Sequence, residues 1–494
     1  MAAASAGPRA SRDEVFLELT RSICPVCKRV LDAEVNVRDE RVLLRKRCPE
    51  HGPFEALVYS DAELYVAQQR FNKPGSLPLE FQTEARDGCP LDCGLCPEHR
   101  QHACLGLIEV NTACNLDCPI CFADSGHQPN GFSLTREQVA FMLDAFLTAE
   151  GEPEVVQFSG GEPSIHPEIL AFLGMARERG IRYVMLNTNG IRLARDPRFA
   201  AGVAAAGAHV YLQFDGFEAA THVAIRGRDL RAEKERALER CAEEGVSVTL
   251  VCALEKGVNE HEAGAVVRLG VSHPAVNSVV FQPVTHAGRH RVFDPLERLT
   301  NPDVMRLLAE QLPQWFRVSD FVPVPCCFPT CRSMCYALVE DGALVPFTRL
   351  LDVEPYLDYV ANRVVPDWGV RAALERMFSS SAGPGAEQAL LACADCGIDL
   401  PAALAGLEER TFVVAAQDFQ DAYTLNVRQL MKCCIAQIAP DGRLIPFCAY
   451  NSVGYREQVR AALSGVPVDP VVPNAAPLQP LLAETPYGSR TART

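Results

Sequence analysis

The stretch "NTACNLDCPICFADSG" holds three cysteines, Cys114, Cys118 and Cys121, with three residues between the first two and two between the last two. A structural zinc site takes four ligands, and a disulfide framework takes an even number of thiols. Three thiols this close together suit a metal centre with one coordination position left open. A [4Fe-4S] cube fits that count: three thiolates hold three irons, and the fourth iron is left for an exogenous ligand. Ferredoxin-type cubes take four thiolates. Of the 21 cysteines in the chain, only Cys241 and Cys252 stand apart from the clusters, as small buried apolar side chains do.

The elements around these thiols must hold them in place. From about 105 to 320 the sequence alternates strand, loop and helix. Strand candidates are "CLGLIEVNTAC", "PEVVQFSGGEP", "IRYVMLNTNG", "HVYLQFDG", "VSVTLVCAL" and "VNSVVFQPV". Helical spacing lies between them, as in "SLTREQVAFMLDAFLTAE", where Ser133 is the expected N-cap. Such repeats predict an α/β fold with a parallel sheet and right-handed crossovers, either a barrel or a doubly wound sheet. Functional loops then follow the strand C-termini. The three-cysteine loop and the "SGGEP", "NTNG" and "LQFDG" turns all fall there.

Composition narrows the partners. The chain has 494 residues, 48% of them apolar and 22% charged, enough for two or three domains with buried cores. A formal charge of −15 argues against nucleic acid, which needs a concentrated basic surface. The N-terminus lacks an apolar stretch of signal-peptide length, and no run reaches the roughly 18 apolar residues of a spanning helix. The expectation is a cytoplasmic protein with no transmembrane segment and at most peripheral membrane contact. In a reducing compartment, grouped cysteines point to metal rather than disulfides.

"CNLDCPIC" followed in order by "SGGEP", "NTNG" and "LQFDG" resembles the radical S-adenosylmethionine (SAM) enzymes over roughly residues 105–290. The resemblance implies a partial TIM-type barrel. Cys114, Cys118 and Cys121 would ligate a [4Fe-4S] cluster whose fourth iron is chelated by SAM. It implies that Gly160 and Gly161 let backbone approach the SAM zwitterion, and that Glu162 pairs with its ammonium. Asn189 or Thr188 would serve the ribose, Gln213 and Asp215 the sugar or substrate, and Arg226 the SAM carboxylate. The chemistry implied is reductive cleavage of SAM to a 5′-deoxyadenosyl radical, which abstracts hydrogen from an unactivated carbon in a dry site.

More cysteines flank this core. Cys24, Cys27 and Cys48 read as three ligands of a mononuclear zinc or rubredoxin-like iron, with Cys89 or His51 as the fourth. Cys93, Cys96 and Cys104 would share an auxiliary cluster, alone or with Cys89. At the other end, Cys326, Cys331 and Cys335 with Cys433, Cys434 and Cys448 suffice for an auxiliary [4Fe-4S] cluster. One of each adjacent pair, Cys326–Cys327 and Cys433–Cys434, is expected to be spare. Cys393 and Cys396 form a further CxxC. "YALVEDGALVPFTRL" and "IAQIAPDGRLIPFCAY" read as two related hairpins, each with a DG turn.

The expected divisions are a flexible N-terminus over 1–20, a cysteine-rich metal-binding domain over 21–104, a partial barrel over 105–320, an auxiliary cluster domain over 321–464 and a flexible tail over 465–494. The whole pattern of cysteines is similar to that of the archaeal tetraether lipid synthases and of relatives described as hydroxymethylpterin methyltransferases. That resemblance implies carbon–carbon bond formation on lipid hydrocarbon chains as the first expectation, and methylation of a pterin or other heterocycle as the second. A non-catalytic iron–sulfur or zinc scaffold is the reading of another class. The partners implied are a small-molecule or lipid substrate and a reductase, ferredoxin or flavodoxin as electron donor.

Overall fold

The computed structural model describes residues 14–126, 131–290, 293–324, 327–349 and 411–465. Cys326, Cys393 and Cys396 lie outside the described residues.

Four strands open the chain: β1 (Glu14–Ile23), β2 (Val30–Arg38), β3 (Arg41–Cys48) and β4 (Gly52–Tyr59). They pair antiparallel in the order β1-β2-β3-β4. A strand therefore begins at Glu14, inside the segment expected to be flexible, because "EVFLELTRSI" pairs along β2 on both sides of a bulge at Leu17. Up-and-down topology brings the β1–β2 and β3–β4 turns to the same end of the sheet, and these turns carry Cys24, Cys27, Cys48 and His51.

The second sheet contains β5 (Leu105–Glu109), β6 (Val155–Ser159), β7 (Tyr183–Thr188), β8 (His209–Gln213), β9 (Val248–Leu254) and β10 (Val276–Pro283). It continues with β11 (Val322–Pro323), β12 (Arg332–Glu340), β13 (Ala343–Pro346), β14 (Thr411–Gln417), β15 (Ile435–Ile438) and β16 (Leu444–Pro446). Its order is β11-β12-β14-β10-β9-β8-β7-β6-β5-β15-β16, with β13 on β12. From β14 to β15 every neighbouring pair is parallel. β5 and β6 are buried at every residue, as expected of parallel strands covered on both faces. The two DG hairpins are present, β12–β13 and β15–β16, one towards each end of this sheet. The sheet is open rather than a closed barrel.

Helices cover one face. The first, Arg136–Glu150, is capped by Thr135 rather than Ser133: the Thr135 hydroxyl accepts from the Gln138 amide, and the Gln138 side chain accepts from the Thr135 amide. It buries Val139, Met142, Leu143 and Phe146 at helical spacing against the sheet. The helices Ile169–Glu178, Pro197–Ala205, Arg231–Glu243, Ala263–Ser272 and Asn301–Gln311 add their apolar faces to the same core. The other face carries Leu105, Leu107, Tyr183, Met185, Tyr211, Val251 and Met334 and turns inward.

The antiparallel sheet docks on the C-terminal segment. Buried Lys46 donates to Ser22 Oγ at 2.9 Å and to the carbonyls of Ala422 at 2.6 Å and Tyr423 at 2.9 Å. Burial brings its ammonium down to about 7. No helix among the described residues is long and apolar enough to cross a membrane. Phe146→Ala is expected to lower stability by about 3–5 kcal/mol, read from chemical denaturation. A loss under about 1 kcal/mol would place Phe146 outside the core.

Candidate functional site

Between β5 and the first helix the chain runs irregularly through Cys114, Cys118 and Cys121, and neighbouring strand ends hold it there. The turn after β6 touches it first. Gly161 N donates to Asn111 O at 2.8 Å and Glu162 N to Ala113 O at 2.9 Å. A Cβ on Gly160 would stand 2.3 Å from Asn111 O, and one on Gly161 2.2 Å from Ala113 O. Only glycine tolerates backbones packed this closely. After β7, Asn189 Nδ2 donates to Asn115 Oδ1 at 2.7 Å. Ile191 and Leu230 pack with Leu116, Cys118 and the partly buried Cys114 and Cys121.

Arginines close the loop from the other side. Arg289, after β10, donates to Asp124 at 2.7 Å, Asp117 at 2.5 Å and Cys118 O at 3.1 Å, and also to Ser125 O. Its own amide donates to Cys121 O at 3.0 Å. Arg460, on the helix Tyr455–Ser464, donates to Ala123 O at 2.6 Å, and Arg456 on the same helix reaches Phe122 O at 3.4 Å. Arg456 is paired at 2.5 Å with Glu109, the last residue of β5, which also accepts from Tyr450 Oη at 3.1 Å. Both members of that ion pair are buried. Burial alone would raise the Glu109 carboxyl, but the charges of Arg456 and Arg460 hold it below the usual carboxylate range.

Beneath the loop lies a cavity of about 150 Å³ to which nine neighbouring strands, from β15 round to β12, contribute residues. A flat sheet of that width, at about 4.8 Å per strand, could not line a single cavity this small; the sheet curls around it. Leu105, Leu107, Ile435 and Phe447 give it apolar walls. Gln157, Asn187, Gln213, Gln282, Gln417 and Gln420 bring amides, and Arg226 and Arg332 bring guanidinium groups.

Of the residues expected to bind SAM, Gln213 and Arg226 face this cavity. Gly160 and Gly161 serve the loop contact described above. Glu162, 1% exposed, already accepts from Ser164 N at 3.0 Å, Thr188 Oγ1 at 2.6 Å and Asn189 N at 2.8 Å. It is the joint between two strand-end turns rather than an open partner for an ammonium. Asn189 Oδ1 accepts from Ile191 N at 3.0 Å, at the start of the following helix. Asp215 is fully buried and bidentate to Arg226 at 2.6 and 2.8 Å, which fixes the guanidinium beside the cavity and next to the Cys118 thiol. Sequence patterns did not point to Arg289, Arg456, Arg460 or Glu109, because no motif surrounds them and their partners lie far away along the chain.

The remaining cysteines separate into groups. Cys24 Sγ lies 3.7 Å from His51 Nδ1, Cys48 Sγ 3.4 Å from the same nitrogen, and Cys27 Sγ 3.8 Å from Cys48 Sγ. All four ligand atoms fall within 4.8 Å of one another. His51 thus completes this set; Cys89 is elsewhere, beside Cys93 and near Cys96. Cys104 is not with that trio but packs in the apolar cluster of Cys327 and Cys434. Cys331, Cys433 and Cys448 stand close to the same pair: Cys327 Sγ is 2.7 Å from Cys434 Sγ, and Cys433 is in contact with Cys448. Cys335 does not join them. Strand alternation turns it into the helix-covered core near Asp320, opposite its neighbour Met334.

The three loop thiols suit a cube. Among the described residues they do not converge to the 4.8 Å spacing of the N-terminal set, and no histidine or carboxylate gathers with them in that way. A cube places each thiolate on a different iron, which calls for wider separation than one ion does. Asn111 Oδ1, buried and without a partner where the loop begins, offers an acceptor beside them.

A curled parallel sheet with a clamped three-thiol loop over its cavity defines an α/β enzyme with its candidate site at the strand ends. The chain belongs to the radical SAM superfamily and uses a [4Fe-4S] cluster and SAM: that family's model matches residues 108–270. The 7,8-dihydro-6-hydroxymethylpterin dimethyltransferase of Methanocaldococcus jannaschii is 32% identical over 485 residues, covering 90% of this chain and 95% of that protein. The HMPTM N-terminal zinc ribbon domain matches residues 16–60. The GTP 3′,8-cyclase of Chlorobaculum tepidum is 31% identical over 169 residues, 34% of this chain and 49% of that protein. Among solved structures, Streptococcus suis SuiB bound to precursor peptide SuiA aligns with a TM-score of 0.37 at 14% identity, covering 44% of this chain and 46% of that one.

Two outcomes follow from this geometry. Arg456→Met leaves Glu109 buried without its counter-charge and is expected to cost about 3–5 kcal/mol. Because the Glu109 carboxyl is depressed in the folded state, the pair's contribution is complete above the unfolded value near pH 4.3 and is lost as pH falls through the lower folded value. Urea titrations between about pH 7 and 3 would show an acid-side loss in the wild type that is weaker in Arg456→Met; parallel curves would refute this. For the N-terminal set, mass spectrometric metal analysis should find one zinc, lost in Cys24→Ser and His51→Ala. Zinc retained in both variants would rule these ligands out.

Proposed function

We propose that this enzyme is a methyltransferase acting on a pterin or a similar nitrogen heterocycle, rather than one that joins lipid hydrocarbon chains. The observation that carries this reading is the cavity under the cysteine loop. It is compact, with apolar walls for the faces of a flat ring and glutamine and asparagine amides for its edges. A hydrocarbon chain asks for a long apolar tunnel and leaves such amides unpaired at a cost. The extensive likeness to a pterin dimethyltransferase supports the same substrate class.

In this reading Cys114, Cys118 and Cys121 hold the cluster, and SAM occupies its open corner. When bound, the pair supplies a 5′-deoxyadenosyl radical after one-electron reduction. Gly160, Gly161, Glu162 and Asn189 keep the loop in register with the ends of β6 and β7. Asp215 orients Arg226 towards the SAM carboxylate, and Gln213 faces sugar or substrate. The curled sheet over 105–320 acts as a partial barrel that excludes water. Cys327, Cys331, Cys433, Cys434 and Cys448 supply thiolates for an auxiliary [4Fe-4S] cluster, and Cys89, Cys93 and Cys96 for a second one. Zinc suits the three-cysteine, one-histidine set of the segment 21–104. A reductase, ferredoxin or flavodoxin delivers the electron, in a cytoplasmic setting.

The test is anaerobic reconstitution with iron and sulfide, then dithionite, SAM and 7,8-dihydro-6-hydroxymethylpterin. Wild type should release 5′-deoxyadenosine and a pterin heavier by one or two methyl groups. Cys118→Ala should reduce both by at least about a thousandfold. 5′-Deoxyadenosine without any methylated pterin would sink the substrate assignment.

A further inference from the structure

Behind the main cavity lies a second chamber of about 20 Å³, lined by Arg298, Thr330, Asp418, Gln420 and Gln429 among others. Phe419 and Gln420 line both spaces and form the wall between them. Around the chamber, Arg298 Nε, Thr330 Oγ1, Asp418 Oδ1 and both Gln420 amide atoms are buried without a hydrogen-bond partner. Asp418 Oδ1 is 3.8 Å from the Arg298 guanidinium, an ion pair too long to be a hydrogen bond. Buried polar atoms are normally paired. Among the described residues Gln420 is the one side chain with two such atoms, although it is only 7% exposed.

Its backbone is not free to turn away. Gln420 N donates to Cys448 Sγ at 3.3 Å, and Gln420 O accepts from Ser452 Oγ at 3.3 Å. What remains adjustable is a primary amide, with a donor and an acceptor side by side, at the edge of the substrate cavity. We propose that Gln420 is the specificity-determining subsite of this cavity, pairing its amide with the lactam edge of the substrate ring, with Asp418 behind it accepting from the exocyclic amine. This rests on the heterocycle reading above and deepens it to one ring edge. A pterin's pyrimidine ring presents C4=O, N3–H and the 2-amino group in succession. The first two match the amide's N–H and C=O, and the third reaches the unpaired Asp418 Oδ1. The chamber has room for one small polar group. The far end of the ring, where carbon is to be functionalised, then lies away from Gln420, towards the cysteine-loop side of the cavity marked by Ile120 and Phe122.

The experiment is a fluorescence titration of the reconstituted holoenzyme, with SAM present, by 7,8-dihydro-6-hydroxymethylpterin. Wild type, Gln420→Leu and the near-isosteric Gln420→Glu are compared at matched iron content and melting temperature. Leu removes both partners and Glu removes the donor, so each should weaken binding by at least about tenfold. Saturable wild-type binding that neither substitution weakens overturns this subsite and leaves the heterocycle reading standing. No saturable binding by the wild type overturns that reading and the subsite with it. Glu is the second check should Leu disturb the fold.

Discussion

An irregular, half-buried loop must have every one of its polar backbone atoms accounted for, and this requirement organises the molecule. Residues 110–126 form neither helix nor strand ladder, and only a few of their carbonyls, such as Thr112 O and Cys121 O, find amide partners within the stretch. Donors come instead from the turn after β6, from Arg289 after β10, and from Arg456 and Arg460 in the last helix described. All three arginines are charged, and Arg289 and Arg456 are fixed by acidic partners, so the hydrogen bonds are of the stronger, charge-assisted kind. The loop that carries the three thiols is thereby held by side chains far away along the sequence.

The same requirement explains the glycines of the strand ends. Gly160 and Gly161 look like ligand-binding residues because their neighbours in sequence include a carboxylate and a proline. Their function in the structure is contact between two stretches of backbone. Glu162 is likewise absorbed into the scaffold by three donors. The surface offered to a ligand is made by Gln213, Arg226 and the amides further along the strands, whose role is to face inward from a curled sheet.

Much of this was legible in the residues. The alternation of apolar strands with amphipathic helices carries the parallel sheet, since periodicity is a local property. The DG turns carry both hairpins, and the CxxxCxxC spacing carries the thiol loop. Long-range pairing was not legible. Nothing in "HAGRHR" marks Arg289 as a clamp on residues some 170 positions earlier. Nor does spacing reveal that Cys335 turns into the opposite core; strand phase decides that, and a cluster of cysteines hides it. His51, and not Cys89, gathers with Cys24, Cys27 and Cys48 because the β3–β4 turn brings it back to Cys48, three residues away.

Arg456 and Arg460 sit near the C-terminal end of the described chain, yet their targets Glu109, Phe122 and Ala123 lie more than 330 positions earlier. β15, which flanks β5, is almost as remote. During synthesis on the ribosome, the thiol loop therefore emerges long before the groups that brace it. Such wide sequence separation slows folding and leaves early segments waiting for late ones. The loop stays without these braces until nearly all of the described chain is available to fold.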